Sequence, residues 1–307
     1  PSGQNVSVSL EASGQLQSLS VNISGAESAT LTLSNFSETG SGPYNYTTTY
    51  DGSSGGDYTA TVEGAGGPNG KDGASGESDT VTVDLYTISD WYDLNNTRND
   101  LDEDYVLTSD LDENSGGYSD VAAPSANAGS GFIPIGNSST KFSGTFNGSG
   151  YTISDLNIDR PTETVLGLFG VNTGTVNDTA LESATVTGNG TVGGLVGNNS
   201  GTVAESYVTG NVSGSGTFVG GLVGRNKDTV TDSHAIVNVS NASGDIVGGL
   251  VGRNDGTVKT SYATGNVSGR SKIGGLVGRN SDTSNSDTIT NSYATGNVSG
   301  SADYVGG

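Results

Sequence analysis

Cysteine and methionine are absent from these 307 residues, and histidine and tryptophan occur once each. Without cysteine there is no disulfide framework and no thiolate site, although this does not assign a compartment. One histidine cannot supply a zinc centre built on several imidazoles. Basic residues are scarce: 11 Lys and Arg face 33 Asp and Glu, for a net charge of −22. Nucleic acid is a poor partner for such a chain, because binding it needs a basic face that releases counterions. No apolar run approaches the ~20 residues of a membrane-spanning helix, and the N-terminus has no basic-then-apolar leader.

Glycine, in contrast, is abundant, with 51 residues. Each glycine destabilises a helix interior by roughly 1 kcal/mol relative to alanine, so many short strands joined by tight turns are expected. The carboxylates are spread along the chain and not gathered in a tail. This pattern predicts a hydrated, self-repelling coat suited to concentrated salt, as in a halophilic archaeon. The chain opens on Pro1 and closes on Gly306-Gly307 within a repeat, which reads as part of a longer polypeptide.

Residues 1–86 alternate apolar or β-branched residues with Ser and Thr, at a period near two. Strands are expected at Val6–Leu10, Leu16–Ile23, Ala29–Phe36, Tyr44–Tyr50, Tyr58–Val62 and Thr80–Leu85, with a polar turn over Gly64–Asp79. Six short strands suggest an immunoglobulin-like β-sandwich. Asp57-Tyr58-Thr59-Ala60 is similar to a tyrosine corner, and equally to any small sandwich with a half-buried Tyr. A helix is expected within 87–101, at about 89–98. Ser89 or Asp90 would cap it, and Trp91, Leu94 and Leu101 would lie near one face. It would cover the open N-terminal end of the downstream β-structure, and a strand is expected at Tyr105–Leu111.

From about residue 166 the sequence copies itself. Gly193-Gly194-Leu195-Val196-Gly197 returns at Gly220–Gly224, Gly248–Gly252 and Gly274–Gly278, and a fifth copy begins at Gly306. The Leu positions 168, 195, 222, 250 and 276 step by 27, 27, 28 and 26. A second block, Ser-Tyr-(Val/Ala)-Thr-Gly-Asn-Val-Ser-Gly, recurs at 206–214, 261–269 and 292–300, with an altered copy at 233–241. Each unit reads as three short extended stretches, for example Ile246–Val251, Thr257–Ala263 and Asn266–Ser268. None could bury a face alone. Coiling each unit into a rung and stacking rungs at ~4.8 Å pairs every backbone group with the next turn. The expected architecture is therefore all-β: the sandwich, a capping helix, and a parallel β-helix over 87–307 of roughly seven rungs. A β-propeller is the rival, but its blades take ~40 residues or more.

These residues also resemble a known family. Gly-Gly-Leu-Val-Gly-Arg-Asn followed by Ser-Tyr-Ala-Thr-Gly-Asn-Val-Ser-Gly is similar to the GLUG repeats of bacterial and archaeal surface proteins. Segments 105–112, 131–136 and 142–153 are similar to the stretch preceding such repeats, so the resemblance covers roughly 87–307. It implies an exported β-helix at the cell surface, often within adhesins, and no single activity. Some relatives carry a metallopeptidase domain beside the repeats, but this chain has no His-Glu-x-x-His.

Stacking predicts columns of like side chains. Asn172, Asn199, Asn226, Asn254 and Asn280 would form an amide ladder of structural purpose. Tyr207, His234, Tyr262 and Tyr293 would form an aromatic column; its plain reading is stacking that tolerates imidazole, and the alternative is a platform for sugar faces. Arg225, Arg253 and Arg279 form a column with Asp228, Asp255 and Asp282 nearby, either neutralised by them or a docking stripe for an acidic partner, including another copy. Asp100, Asp102, Glu103, Asp104, Asp110, Asp112 and Glu113 form the densest acidic cluster. It reads first as a solvated face and second as a Ca²⁺ site, without the EF-hand spacing. No other cofactor or metal is indicated.

Asn-x-Ser/Thr acceptors occur at Asn22, Asn35, Asn45, Asn95, Asn137, Asn147, Asn177, Asn189, Asn198, Asn211, Asn238, Asn241, Asn266 and Asn297. This is about twice chance for a chain that is roughly a quarter Ser and Thr, and it predicts N-glycosylation. Turn-forming Asn and Ser are the plain alternative. Asn211, Asn238, Asn266 and Asn297 hold one equivalent position, where acceptors ~5 Å apart cannot all carry bulky glycans. No trio of acids recurs between rungs. The reading is therefore a non-enzymatic extracellular structural or adhesive module. Its partners would be other surface proteins, copies of itself or glycans. A filament subunit and a carbohydrate-binding or polysaccharide-degrading β-helix are the alternatives.

Overall fold

The computed structural model describes residues 4–12, 16, 18–25, 29–39, 44–52, 58–66, 72–73, 81–83, 86–241, 243–244, 246–280, 287–302 and 304–306. The chain divides into two compact units, Pro1–Thr87 and Ile88–Gly307.

The first unit holds two antiparallel sheets. One is ordered Gln4–Ala12, Tyr44–Gly52, Ser37–Thr39. The other is ordered Ala29–Thr32, Ser18–Gly25, Tyr58–Gly66, Asp72–Gly73, with Val81–Val83 also pairing Tyr58–Gly66. The expected strand at Ala29–Phe36 stops at Thr32, because the Asn35 side chain accepts from the Thr32 amide and turns the chain into a 3-10 helix at Leu33–Asn35. The strand Tyr58–Gly66 runs three residues into the turn expected over Gly64–Asp79, and that stretch also contains the paired segment Asp72–Gly73. The Tyr58 side chain lies outside the described residues. Among the described side chains of this unit Tyr46 is buried, and its hydroxyl accepts from the Leu16 amide at 2.7 Å.

The second unit is a parallel β-solenoid. Each complete turn passes through four sheets, not the three stretches expected. One full turn runs Thr229–Thr231, His234–Asn241, Ile246–Gly248 and Val251–Asn254. The sheet containing Val251–Asn254 has five strands, so there are five complete turns and partial ones at either end, where roughly seven were expected. The fourth stretch of each turn arises in the Gly-Gly-Leu-Val-Gly motif, which reads as one strand but is a corner between two. A Cβ on Gly220 would lie 2.1 Å from the Val223 carbonyl oxygen, and the same approach recurs at Gly193, Gly248 and Gly274. Only glycine allows the chain to fold back so closely.

The Leu residues do stack. The Leu195 amide donates to the Leu222 carbonyl, Leu222 to Leu250 and Leu250 to Leu276, each at 2.9–3.0 Å. Leu195, Leu222 and Leu250 are fully buried. Parallel register carries the inward column Phe146, Val176, Val203, Val230, Val258 and Ile289 down the first sheet. The wider N-terminal turn is filled by Phe132, Phe142, Phe146 and Phe169.

A helix at Trp91–Asn96 closes this end. Asp90 caps it by accepting from the Asp93 amide, and Trp91 and Leu94 are fully buried in the solenoid core. The helix is shorter than 89–98, because Thr97 caps its end and donates its hydroxyl to the Leu94 carbonyl. The expected strand at Tyr105–Leu111 ends at Leu107, and Leu111 makes an isolated bridge to Ile153. Two further one-turn helices, Tyr118–Val121 and Ala126–Gly129, were not foreseen. They are too short to carry a periodic apolar stripe.

Candidate functional site

The candidate site is the set of side-chain columns that parallel register builds along the solenoid. Residues one repeat apart in sequence become neighbours ~4.8 Å apart in space. The direction of each column decides whether it can do chemistry.

The amide ladder faces inward. Asn172, Asn199, Asn226 and Asn254 are completely buried. Each Nδ2 donates to the Oδ1 of the next, at 2.8, 2.8, 2.9 and 2.7 Å, ending on Asn280. Each also donates to the carbonyl two residues on: Gly174, Gly201, Asp228 and Gly256. A buried amide without such partners would cost on the order of 1–3 kcal/mol per orphaned group, so the column fixes register and holds the corner closed.

A second internal ladder was missed in the sequence. The Thr179 amide donates to Ser206 Oγ, Ser206 to Ser233, Ser233 to Ser261 and Ser261 to Ser292, all at 3.1–3.2 Å. The hydroxyls of Ser206, Ser233 and Ser261 donate to the carbonyl two residues earlier. The signal was present, since a Ser precedes every ring of the aromatic column, but a serine reads as turn chemistry until its burial is known.

The aromatic column lies on the outer face. Tyr207 and His234 stack with centroids 4.9 Å apart, His234 and Tyr262 at 4.5 Å, and Tyr262 and Tyr293 at 5.3 Å, with interplanar angles of 9°, 7° and 9°. The rings therefore cover one another's faces and present edges to solvent. A sugar needs a ring face, so the platform reading shrinks to the outer side of Tyr293, which is 56% exposed. Tyr207 donates its hydroxyl to Glu182, and burial, assisted by that carboxylate, pushes its pKa up to about 12.

Burial between two rings holds the His234 imidazole below its ordinary value of 6.5. The unfolded chain then binds the proton before the folded one, so stability is lost as pH falls below that ordinary value. A His234→Tyr variant completes the column without the titrating group. Its stability advantage over the parent is expected to widen as pH drops from about 7 to 5. Parallel denaturation midpoints across that range would show that folding leaves the proton affinity of the ring unchanged.

The arginine column projects outward beside the ring of Phe218. Asp255, whose side chain is 8% exposed, bridges it: Arg225 Nε and Arg253 Nε each reach a carboxylate oxygen at 2.7 Å. Both guanidinium groups lie over Phe218, 5.9 and 5.6 Å from its centroid. Asp228 accepts from its neighbour Thr229, not from an arginine. Arg279 continues the column opposite Arg253, and Asp282 lies outside the described residues.

The acidic segment does not converge on a cation. Asp104 accepts from the Thr145 amide at 2.7 Å, Asp110 from the Thr152 amide at 2.8 Å, and Asp112 from the Asn114 and Ser115 amides. Those hydrogen bonds hold the Asp112 carboxyl below the usual carboxylate range. Asp100 and Asp102 point to solvent. Among the described residues, no group of three or more His, Asp or Glu is arranged to hold a metal ion. The carboxylates act as caps that pin turns to the next rung.

The glycan acceptors divide by burial. Asn35, Asn137, Asn211, Asn238, Asn266 and Asn297 are exposed, and Asn22, Asn95, Asn177, Asn189 and Asn198 are half-buried. Asn147 (9% exposed) uses its side-chain oxygen on the Ser149 amide. Asn241 (2% exposed) donates to the Gly216 carbonyl and accepts from the Gly244 amide. In the folded chain neither is presented to a transferase. The Asn45 side chain lies outside the described residues. Asn211, Asn238, Asn266 and Asn297 do form one exposed column, with Asn266 Nδ2 donating to Asn238 Oδ1 at 3.2 Å.

Residues 243–268 and 269–299 match the family model of the GLUG motif. Over 115 residues, or 36% of the chain, the sequence is 34% identical to halomucin of Haloquadratum walsbyi, and this stretch spans about 1% of that protein's length. A crystal structure from Bacteroides ovatus, of a protein named as a candidate immunoglobulin A1 protease, is similar with a TM-score of 0.57. The match covers 68% of this chain and 66% of that one at 22% identity, so the likeness is one of fold. No helix among the described residues is long and apolar enough to cross a membrane.

Proposed function

We propose that this chain, a β-solenoid carrying GLUG-motif repeats, is a non-enzymatic, extracellular structural or adhesive module of a salt-adapted cell surface. It would project as a rigid, acidic and N-glycosylated element. The N-terminal unit, with its two antiparallel sheets, is read as an immunoglobulin-like sandwich preceding it. The observation that carries the proposal is the sorting of the columns. Hydrogen-bonding amides and hydroxyls are turned inward to lock one rung on the next, while Thr, Tyr, Arg and sequon Asn face out. That sorting builds a stiff polar surface and, among the described residues, no cleft of convergent acids and bases. The local similarity to halomucin and the charge of −22 support placement at a surface bathed in salt.

The test is surface biotinylation of intact source cells, followed by glycopeptide mapping. The expected result is labelling without lysis, with sugar on exposed acceptors such as Asn211, Asn238 or Asn297 and none on Asn147 or Asn241. Protection from the reagent until lysis, or cleavage of a polysaccharide by the purified chain, would remove the proposal.

A further inference from the structure

Sulfur is the usual first target of oxidation in a protein, as a cysteine thiolate or a methionine thioether. This chain has neither, and its single Trp is fully buried, with its indole nitrogen donating to the Asp112 carbonyl. Tyrosine, with 13 residues, is therefore the readiest electron donor on its surface.

Three tyrosines lie in the aromatic column, which joins an exposed end to a half-buried one. Tyr293 is the exposed end. Tyr262 and then His234 follow it, ring on ring, at 5.3 and 4.5 Å. Tyr207 closes the stack 4.9 Å beyond His234, because the rung above carries Ala180 at that position. Four rings that cover one another's faces form a continuous path of π-electrons, so an electron vacancy made at one end can pass to the other. Burial holds the His234 imidazole below its ordinary pKa, so at neutral pH it stays uncharged and does not repel such a vacancy.

The two ends differ in what can receive a proton. A phenol that has lost an electron is a very strong acid, and it settles as a neutral radical where a base takes that proton. The Tyr207 hydroxyl donates to Glu182 Oε1 at 2.7 Å, and Glu182 stands on the strand of the neighbouring rung, Ala180–Gly188. A carboxylate, whose conjugate acid has a pKa of about 4, is a far better acceptor than water. The hydroxyls of Tyr262 and Tyr293 have no carboxylate partner among the described residues.

We propose that Tyr207 is a redox-modification site, the residue at which one-electron oxidation of this column comes to rest. An oxidant of the carbonate-radical class takes one electron from Tyr293 and is reduced to carbonate. Tyr262 refills Tyr293, and Tyr207 refills Tyr262 across the ring of His234. As Tyr207 gives up its electron, its phenolic proton passes to Glu182. The products are a neutral tyrosyl radical and a neutral glutamic acid, so one electron leaves the chain and the proton stays within the pair. This site is independent of the surface role proposed above.

The test exposes the folded full chain to carbonate radical and nitrogen dioxide, generated together from peroxynitrite and carbon dioxide. Nitrogen dioxide forms a C–N bond at the carbon ortho to the radical oxygen, the ortho hydrogen moves to that oxygen, and peptide mapping locates the nitrotyrosine. Exposure alone would favour Tyr293. The expected result is nitration at Tyr207 severalfold above Tyr293. Glu182→Gln removes the base, keeps the stack and should move the mark to Tyr262 and Tyr293. His234→Leu fills the gap without a ring and should lower nitration at Tyr207 severalfold. Tyr92, which donates to Asp120 outside the column, is the reference whose yield stays constant in both variants. Nitration of the parent mainly at Tyr293, or a parent-like pattern in either folded variant, would overturn the proposal. Circular dichroism establishes that each variant is folded, and Glu182→Gln decides the matter should His234→Leu unfold.

Discussion

Asn226→Ala is expected to destabilise the solenoid by about 3 kcal/mol or more, the largest effect of any side-chain truncation on its polar positions. The Asn226 amide donates to the carbonyls of Asp228 and Thr257 and to Asn254 Oδ1, and its own oxygen accepts from Asn199. Truncation orphans acceptors on three sides and one donor, all in a column that is completely buried. Each group costs on the order of 1–3 kcal/mol when left dry. The comparison is Asn280→Ala, at the exposed end of the same ladder, where solvent can replace the lost partner and the cost should stay below about 1 kcal/mol. Chemical denaturation of the two variants decides it, and equal losses would show that the ladder is not what holds the register.

Gly220→Ala is expected to be at least as damaging, costing about 3 kcal/mol or preventing folding. The added Cβ would sit 2.1 Å from the Val223 carbonyl oxygen and 2.5 Å from the Gly252 amide nitrogen. Both obstacles are backbone, one in the same corner and one in the next rung, so no rotamer change relieves them. Opening the corner would also lift Leu222 from the column that it forms with Leu195 and Leu250. Gly306→Ala is the control, because a Cβ there meets nothing within 4 Å. If thermal melts place Gly220→Ala beside Gly306→Ala, the motif is a strand with tolerant glycines and not a steric corner.

Much of the solenoid was legible in the sequence, because parallel stacking turns a sequence period into a spatial neighbour. The Leu steps and the Asn and Tyr/His columns required only the repeat length. The capping helix was legible from Asp90 and Trp91, although its end was not, since Thr97 stops it through a side-chain bond invisible to periodicity. What misled the reading was glycine. Ile246–Val251 has the composition of one strand, yet Gly248 and Gly249 bend it into two strands in different sheets. A residue without a side chain gives no sign of which way the chain turns.

The candidate site was legible only in part, for a related reason. Arg225 and Asn226 are adjacent in sequence and both recur in the next two copies, but one points to solvent beside Phe218 and the other is sealed in the core. Repetition says that a residue stacks and not toward which side. The acidic segment read first as a solvated face and left a cation site as its second reading because its carboxylates are close in sequence; the fold spends Asp104, Asp110 and Asp112 separately on backbone amides. The buried Ser206–Ser233–Ser261 ladder could be recognised as such only once the corner before each aromatic ring was known to turn inward.

By itself, then, the sequence determined that like residues lie above like, since a repeat length held within a residue or two leaves parallel strands one register that pairs their backbones. The tertiary structure alone decided which columns face water and which are dry, and which side chains from different turns meet at an edge. Those outcomes depend on the directions of four bends per turn, and bends made of glycine carry no side-chain pattern from which a direction can be read.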